Sequence, residues 1–204
     1  MVWVCPYMKT FVIRARKGTT RWERIKSSVG TKEHIEVVAH AVINAFFVSS
    51  GFRNDVEVYI ILDSSDDFPR TIKLSSHEGL SLAGFHEMAV LDVIENVLKN
   101  SIHLQKNETK IIEPGVQISG FGFEKLVSQL LTTRTVYMLD PKGEDIKTTT
   151  FTNDPVFILS DHLAMPKKNI KSLARQGLKT ISLGKSMLFA SQCVTIIHYE
   201  LKNI

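Results

Sequence analysis

Three short strand-like runs in the last third of the chain constrain its fold more than any other feature. They are Val136–Leu139, Val156–Leu159 and Thr180–Leu183. Each run has the length and composition of a buried β-strand, and each ends abruptly in small or polar residues that predict a loop. In open α/β sheets, ligands bind just beyond the carboxyl ends of the strands. The sequence therefore predicts that three strand ends converge on one ligand pocket.

The rest of the chain alternates between strand and helix patterns. Strands are predicted at Phe11–Ala15, Val56–Leu62 and Thr71–Leu74, and helices at Thr31–Gly51, Met88–Leu98, Phe123–Leu131 and Lys167–Arg175. Thr31 is predicted to be the N-cap of the first helix. The alternation predicts an α/β fold with a mainly parallel sheet flanked by helices. Near the end, Cys193–Ile197 has the β-propensity of a strand, although the spacing of its apolar residues also permits a helix.

Length and composition predict one domain. The chain has 204 residues and 44% of them are hydrophobic, which is enough for one core. No linker or internal repeat divides it. Because Met8–Ile13 resembles a second beginning of the chain, residues 1–7 are expected to be an N-terminal extension without a role. No apolar run approaches the ~18 residues of a membrane helix, so no membrane partner is expected.

The chain contains two cysteines, Cys5 and Cys193. So few cysteines predict a reduced, cytoplasmic protein without a disulfide framework. They also exclude a zinc site made only of cysteines, and no metal is expected.

The net charge of +4 hides an asymmetry along the chain. Residues 1–32 contain eight Lys and Arg against one acid, residues 54–108 contain ten acids against four bases, and residues 162–204 contain seven bases against one acid. Two basic ends around an acidic middle favour a polyanionic partner, although a solvated basic surface is the alternative. Arg14 and Arg16 alternate with apolar neighbours and are expected to share one face of a strand. The candidate contacts to such a polyanion, RNA among the possible ones, are Arg14, Arg16, Arg21, Arg24 and Arg53.

Several short motifs together resemble the SPOUT class of RNA methyltransferases. They are Arg53 with Asp55-Val56, Pro114–Val116, Gly143–Asp145, Pro155–Ile158 with Asp161-His162, Ile181–Leu183 and Cys193–His198. Within that class the chain is most similar to the archaeal enzymes that methylate N1 of pseudouridine 54 in the TΨC loop of tRNA, and to their bacterial homologues. The resemblance implies a single domain over residues 8–204, a C-terminal trefoil knot, a long final helix from about Ser186, a homodimer packed through the knot, and tRNA as substrate.

The resemblance also implies S-adenosylmethionine as cofactor. The residues expected to contact it are Leu139, Ser160, Ile181, Ser182, Leu183, Gly184, Leu188 and Cys193. The alternative is that these positions are the ordinary β-to-α turns of any α/β protein. For Cys193 the alternative is a buried cysteine on a helix face. A nucleophilic role for Cys193 is rejected, because a nitrogen acceptor needs no covalent step.

Asp161 is the candidate catalytic residue. N1 of pseudouridine must lose its proton around methyl transfer, and a carboxylate at a strand end could accept that proton. The alternative for Asp161 is a cap on the following loop. His162 is expected to be structural. Arg53 and Asp55 are expected either to orient the substrate or to form a surface salt bridge.

The chain departs from the family pattern at three places, of which Gly184 after Leu183 is a looser match. Ser160 stands where a glycine often precedes the Asp-His pair, and the segment after Pro114-Gly115 lacks the arginines of archaeal members. These two departures favour a second hypothesis, a catalytically idle RNA-binding protein on the same fold. The first hypothesis remains a dimeric S-adenosylmethionine-dependent RNA methyltransferase, with a dimer interface expected on the apolar residues after Gly184. Those residues are Met187, Leu188, Ala190, Val194 and Ile197.

Overall fold

The structure is a computed structural model that describes residues 8–64, 67–151, 153–161, 163 and 165–201. Its strands are β1 (Lys9–Ala15), β2 (Phe47–Val48), β3 (Gly51–Phe52), β4 (Val56–Leu62), β5 (Arg70–Ser75), β6 (Thr109–Glu113), β7 (Val116–Ser119), β8 (Val136–Asp145), β9 (Val156–Ser160) and β10 (Lys179–Ser182). Its α-helices are α1 (Ile35–Phe46), α2 (Glu87–Lys99), α3 (Phe123–Leu131), α4 (Lys167–Ala174) and α5 (Ala190–Glu200). Within these ranges, no helix is both long enough and apolar enough to cross a bilayer.

One large sheet organises the molecule, in the order β10-β8-β9-β1-β4-β5-β7-β6. The first five of these strands pair in parallel, and β5, β7 and β6 continue the sheet with antiparallel pairings. The predicted α/β architecture is therefore confirmed as a mixed, mostly parallel sheet flanked by helices. The parallel half contains the three strands whose ends were predicted to converge.

The antiparallel half contains a hairpin that the sequence pattern did not predict. β6 and β7 are joined by Pro114 and Gly115, and Gly115 has a φ of 72°. A Cβ atom at Gly115 would lie 2.3 Å from the backbone nitrogen of Leu80, so only glycine fits this turn. A Pro-Gly pair is itself a turn signal, but exposed β6 lacks the apolar run that marks a strand.

Helices cover both faces of the sheet, and the alternation of side chains along β1 shows how. Phe11 and Ile13 point into a core formed with α1, α2 and α5, whereas Val12 points into a second core under α3 and α4. All three side chains are fully buried. Burial on both faces explains why the parallel strands appear in the sequence as nearly continuous apolar runs.

The predicted N-cap of α1 is wrong. The helix begins at Ile35, four residues after Thr31, and its N-cap residue is His34 with a left-handed φ of 50°. The Thr31 hydroxyl instead donates to the carbonyl of Ser28 at 2.7 Å and accepts from the N–H of Glu33. These contacts stabilise a local turn that precedes the helix. Thr31 therefore does not cap α1.

The last segment is a helix, as the family resemblance implied, and not the strand that its β-branched residues favoured. α5 begins at Ala190 rather than near Ser186, because Phe189 has extended backbone and its N–H is bound by the Gln192 side chain at 2.9 Å. Val194 and Ile197 are fully buried in the core beneath α1. Tertiary packing has therefore overridden local propensity.

Candidate functional site

A cleft of about 210 Å³ lies at the carboxyl edge of the parallel half of the sheet. Residues 138–141 of β8, the end of β9 and the loop after β10 form its walls. The lining residues are Met138, Leu139, Asp140, Pro141, Ile158, Leu159, Ser160, Asp161, Met165, Leu183, Gly184, Lys185, Ser186, Met187, Leu188, Ala190 and Cys193. The three predicted strand ends therefore do meet at one cavity.

A bulge in β8 shapes one wall of this cleft. Thr180 of β10 pairs with Met138, yet the next residue, Ile181, pairs with Glu144. The intervening segment, 139–143, leaves the ladder and brings Leu139, Asp140 and Pro141 to the cleft. Gly143 permits the return of the strand, because a Cβ atom there would lie 2.5 Å from the backbone nitrogen of Ile181. The sequence predicted a strand end at Leu139, whereas the strand resumes beyond the bulge.

Ser182 holds the loop that forms the opposite wall. Its hydroxyl accepts a hydrogen bond from the N–H of Gly184 at 3.1 Å, and it lies 3.4 Å from the carbonyl oxygen of Pro141. Gly184 has a φ of 107°, a conformation that favours glycine. This turn directs the chain from Leu183 to Leu188 along the cleft.

Six of the eight residues predicted to contact a cofactor line the cleft, and two do not. The six are Leu139, Ser160, Leu183, Gly184, Leu188 and Cys193. The side chain of Ile181 is fully buried in the core, and Ser182 lies behind the wall that it supports. The cleft also contains residues that were not predicted, among them Asp140, Met165 and Lys185. Asp140 directly follows the strand-like run Val136–Leu139, so its position at a strand end could have identified it. Nothing in the sequence around Met165 or Lys185 indicates that they lie at the cleft.

Cys193 is buried at the base of the cleft and is 8% exposed. Burial raises the pKa of its thiol to about 11. At neutral pH the thiol is therefore protonated and behaves as a small apolar side chain rather than as a nucleophile.

Asp161 lies at the rim of the cleft, where its carboxylate joins two chain segments. One oxygen accepts a hydrogen bond from the backbone N–H of Arg16 at 2.9 Å, and the other accepts from the N–H of Leu163 at 2.8 Å. These bonds fit the capping alternative considered above. An ionised carboxylate offers about four acceptor positions, so capacity for a further hydrogen bond remains. Its neighbour His162 lies outside the described residues.

Two of the predicted RNA-binding arginines are committed to structural contacts. The Arg14 guanidinium donates from Nε and Nη2 to Asp63 at 2.9 and 2.6 Å and lies over the ring of Phe123. Arg53 donates from Nη1 to three carbonyl oxygens at the carboxyl end of α1, including that of Phe47 at 2.8 Å. Arg14 is buried in its ion pair, and Nη1 of Arg53 is committed to capping the helix.

The other basic predictions lie nearer the surface. Arg24 forms an ion pair with Glu33 at 2.9 Å, and the backbone N–H of Arg21 donates to the Thr19 hydroxyl. Arg16 lies at the end of β1 next to Asp161. Asp55 forms an ion pair with Lys9. Neither substrate orientation nor a salt bridge with Arg53, the two roles expected for Asp55, included this contact.

Fold and cleft together define a class of protein. This is an α/β protein whose cleft lies at the carboxyl edge of the parallel half of its sheet, where such sheets bind ligands. The chain belongs to the family described as "Putative SAM-dependent RNA methyltransferase", whose sequence model matches residues 8–204.

Similar proteins agree with this membership. The chain is 44% identical over 194 residues to proteins of Vibrio vulnificus and Photobacterium profundum, covering 95% of this chain and 98% of each relative. Both are named "Putative pseudouridine methyltransferase". The crystal structure of Archaeoglobus fulgidus Nep1 bound to S-adenosylhomocysteine has a TM-score of 0.64 at 10% identity, covering 97% of this chain and 98% of that one. At this identity, the likeness concerns the fold.

The cleft is chemically suited to S-adenosylmethionine, the cofactor of the family. Leu139, Leu183 and Leu188 supply apolar walls of the kind that an adenine ring needs. Asp140 and Asp161 supply negative charge, which favours a ligand with a sulfonium and an ammonium group. Among the described residues, no group of three His, Cys, Asp or Glu side chains is arranged to hold a metal ion.

Proposed function

We propose that this chain is an S-adenosylmethionine-dependent methyltransferase acting on N1 of pseudouridine in RNA, with tRNA as the substrate. The observation that carries the proposal is the cleft between the β8 bulge, the end of β9 and the loop after β10, which is lined by six of the residues predicted for the cofactor. The names of the relatives support pseudouridine as the acceptor.

The chemistry needs little more from the protein than positioning. When bound, S-adenosylmethionine supplies a methyl group on a sulfonium, which an acceptor nitrogen displaces in line. A side chain of the protein must accept the proton that N1 gives up. Residues that hold the acceptor behind the methyl group and exclude water therefore account for most of the rate enhancement.

Within this proposal, Asp161 accepts the N1 proton. Its position at the cleft rim supports the role, because the substrate base must approach the methyl group from the open side. The hydrogen bonds from Arg16 and Leu163 fix the orientation of the carboxylate, as a general base requires.

The finer features follow from the family resemblance. We assign residues 8–204 to one domain with the trefoil knot in its C-terminal part, residues 1–7 to an N-terminal extension, and the protein to the cytoplasm. We also assign it a homodimeric state. Two exposed apolar residues support that state, Met187 at the cleft wall and Phe189 just beyond it. Ala190, Val194 and Ile197, expected in the interface, are buried within the chain instead.

A methyl-transfer assay tests the proposal. The protein is incubated with radiolabelled S-adenosylmethionine and an RNA stem-loop whose loop contains pseudouridine, and the nucleosides are then identified by mass spectrometry. We expect N1-methylpseudouridine, and no product from the same stem-loop with uridine. RNA binding and cofactor binding without methyl transfer would instead support the idle RNA-binding protein.

Leu183→Arg tests the placement of the cofactor site, and a matched substitution outside the cleft serves as its control. An arginine at this wall fills the cleft and adds positive charge, so we expect calorimetric S-adenosylmethionine binding and methyl transfer to be lost. Ile111→Arg adds the same charge at an exposed position on β6, outside the cleft, and should change neither. Equal cofactor affinity in Leu183→Arg would contradict the placement of the site.

A further inference from the structure

The basic face of α4 is not explained by the cleft or by the core. Between Asp161 and Glu200 the chain has six Lys and Arg residues and no acid. Three of them, Lys168, Lys171 and Arg175, follow at intervals of three and four residues and therefore lie on one stripe of the helix. All three are exposed, whereas Leu173 and Ile170 pack into the core below α3. We name the stripe of Lys168, Lys171 and Arg175 the α4 basic face.

No acid in the described part of the chain neutralises this face. Neither Lys168, Lys171 nor Arg175 forms an ion pair or side-chain hydrogen bond there. Glu124 of α3 is bound by Asn169 and lies 3.6 Å from the Arg14 guanidinium. By contrast, Arg14 and Arg24 are paired with carboxylates. The charge on α4 is thus open to an external partner.

Helix stability does not account for the placement of these charges. The amino end of a helix carries a partial positive charge, which disfavours lysine in the first turn. Nevertheless α4 begins Lys167-Lys168, and its first turn contains no acid. Lys171 and Arg175 lie toward the favourable end, but Lys168 does not. Because Lys168 is unfavourable for the helix, its presence in the first turn is better explained by binding of an anionic ligand.

The α4 basic face starts at the rim of the cleft. Met165 lines the cleft, Pro166 is the N-cap residue, and α4 follows at once. From Lys168 to Arg175 the helix rises by about 10 Å, enough for its cations to meet successive phosphates of one strand. RNA lying on this face would reach the cleft with an adjoining nucleotide.

We propose that the α4 basic face is the surface on which the substrate RNA docks through its phosphates. The inference rests on the proposed function, because it takes RNA as the substrate of the cleft. The face offers repeated cations and no exposed apolar side chain, which matches a phosphate backbone rather than a protein interface. It replaces Arg14 and Arg53, whose guanidinium groups are occupied within the fold.

Binding as a function of salt tests the assignment. The variant Lys168→Ala/Lys171→Ala/Arg175→Ala keeps strong helix formers and should fold. Its affinity for a fluorescein-labelled RNA stem-loop with pseudouridine in the loop is measured over a range of salt concentrations. Loss of three phosphate contacts should reduce the log–log salt slope by about two units. The KM for this RNA should rise by the same factor as the Kd, with calorimetric S-adenosylmethionine affinity and kcat unchanged.

The control variant Lys99→Ala/Lys106→Ala/Lys110→Ala removes the same charge from exposed positions on α2 and near β6, the edge strand farthest from β10. It should bind RNA as the wild type does. The assignment is overturned if both triple variants lose affinity equally, or if the α4 variant keeps wild-type affinity and slope. If the α4 variant keeps wild-type affinity and slope while the wild type methylates the stem-loop, the docking assignment is wrong but the proposed function is still supported. A wild-type protein that neither binds nor methylates RNA overturns both proposals.

Discussion

The backbone N–H of Arg16 donates a 2.9 Å hydrogen bond to the carboxylate of Asp161, which ties the end of β1 to the end of β9 at the rim of the cleft. The same carboxylate accepts the N–H of Leu163. Asp161 thus has a structural role whether or not it takes a proton. Because the two roles respond differently to substitution, an experiment can separate them.

Asp161→Asn keeps the shape of the side chain but removes its capacity to accept a proton. If Asp161 is the general base, kcat should fall about 100- to 10,000-fold, with cofactor affinity little changed. The lost backbone hydrogen bond should lower the free energy of unfolding by only about 1 kcal/mol. Single-turnover rates, calorimetry and urea unfolding measure the three quantities. A fall in kcat below tenfold would restrict Asp161 to its capping role.

Arg14 and Asp63 form a pair in which the arginine side chain is 8% exposed. Arg14→Ala leaves the carboxylate without its partner and should lower the free energy of unfolding by about 3 kcal/mol. Arg24→Ala breaks a pair whose arginine is half exposed, and should cost less than about 1 kcal/mol. Urea unfolding of both variants makes the comparison. Equal losses of unfolding free energy in the two variants would show that the pair of Arg14 and Asp63 does not stabilise the fold more than a surface pair.

The location of the cleft was predictable because its signals are local. An apolar run that stops in a polar loop marks a strand end, and the carboxyl ends of neighbouring parallel strands must share one edge of a sheet. This reasoning brings Leu139, Ser160 and Leu183 together without knowledge of the fold. It does not extend to Ile181, which the family resemblance supplied and which lies inside β10 with its side chain buried in the core.

The roles of the arginines were not predictable because they depend on long-range contacts. Arg14 is separated from Asp63 by 49 residues, and nothing near either residue in the sequence indicates the pair. Arg53 caps α1 only because the β2–β3 hairpin returns the chain to the end of that helix. A basic segment therefore predicts charge but not which cations remain available to a ligand.

His198 should make the stability of the protein depend on pH. It is buried against Phe11 and bonded to the carbonyl of Ala45 at 3.1 Å, and burial, helped by the charge of Arg53, lowers its pKa to about 3. The unfolded chain, with a histidine pKa of about 6.5, takes up a proton below that pH, whereas the folded protein does not until about pH 3. Stability is therefore fully present above about pH 6.5 and is lost as the pH falls.

His198→Gln isolates this contribution. At pH 5.5 the wild type should lose about 1.4 kcal/mol relative to pH 7.5 through this residue, and the variant should not. The difference in free energy of unfolding between wild type and variant should therefore shrink by that amount between the two pH values. A constant difference in urea unfolding would mean that His198 titrates alike in both states.

The exposed apolar residues beside the cleft predict the dimer. Met187 is 99% exposed and Phe189 is 68% exposed, which is unfavourable for a lone chain in water. Met187→Glu/Phe189→Glu would bury two unpaired carboxylates in a dimer formed there, and should weaken dimerisation by about 100-fold or more.

Ile111→Glu changes an exposed residue on the far edge strand and serves as control. Sedimentation velocity at micromolar concentration should give a dimer for the wild type and control and a monomer for the double variant. A wild type that sediments as a monomer, or a double variant that remains dimeric, would contradict this interface.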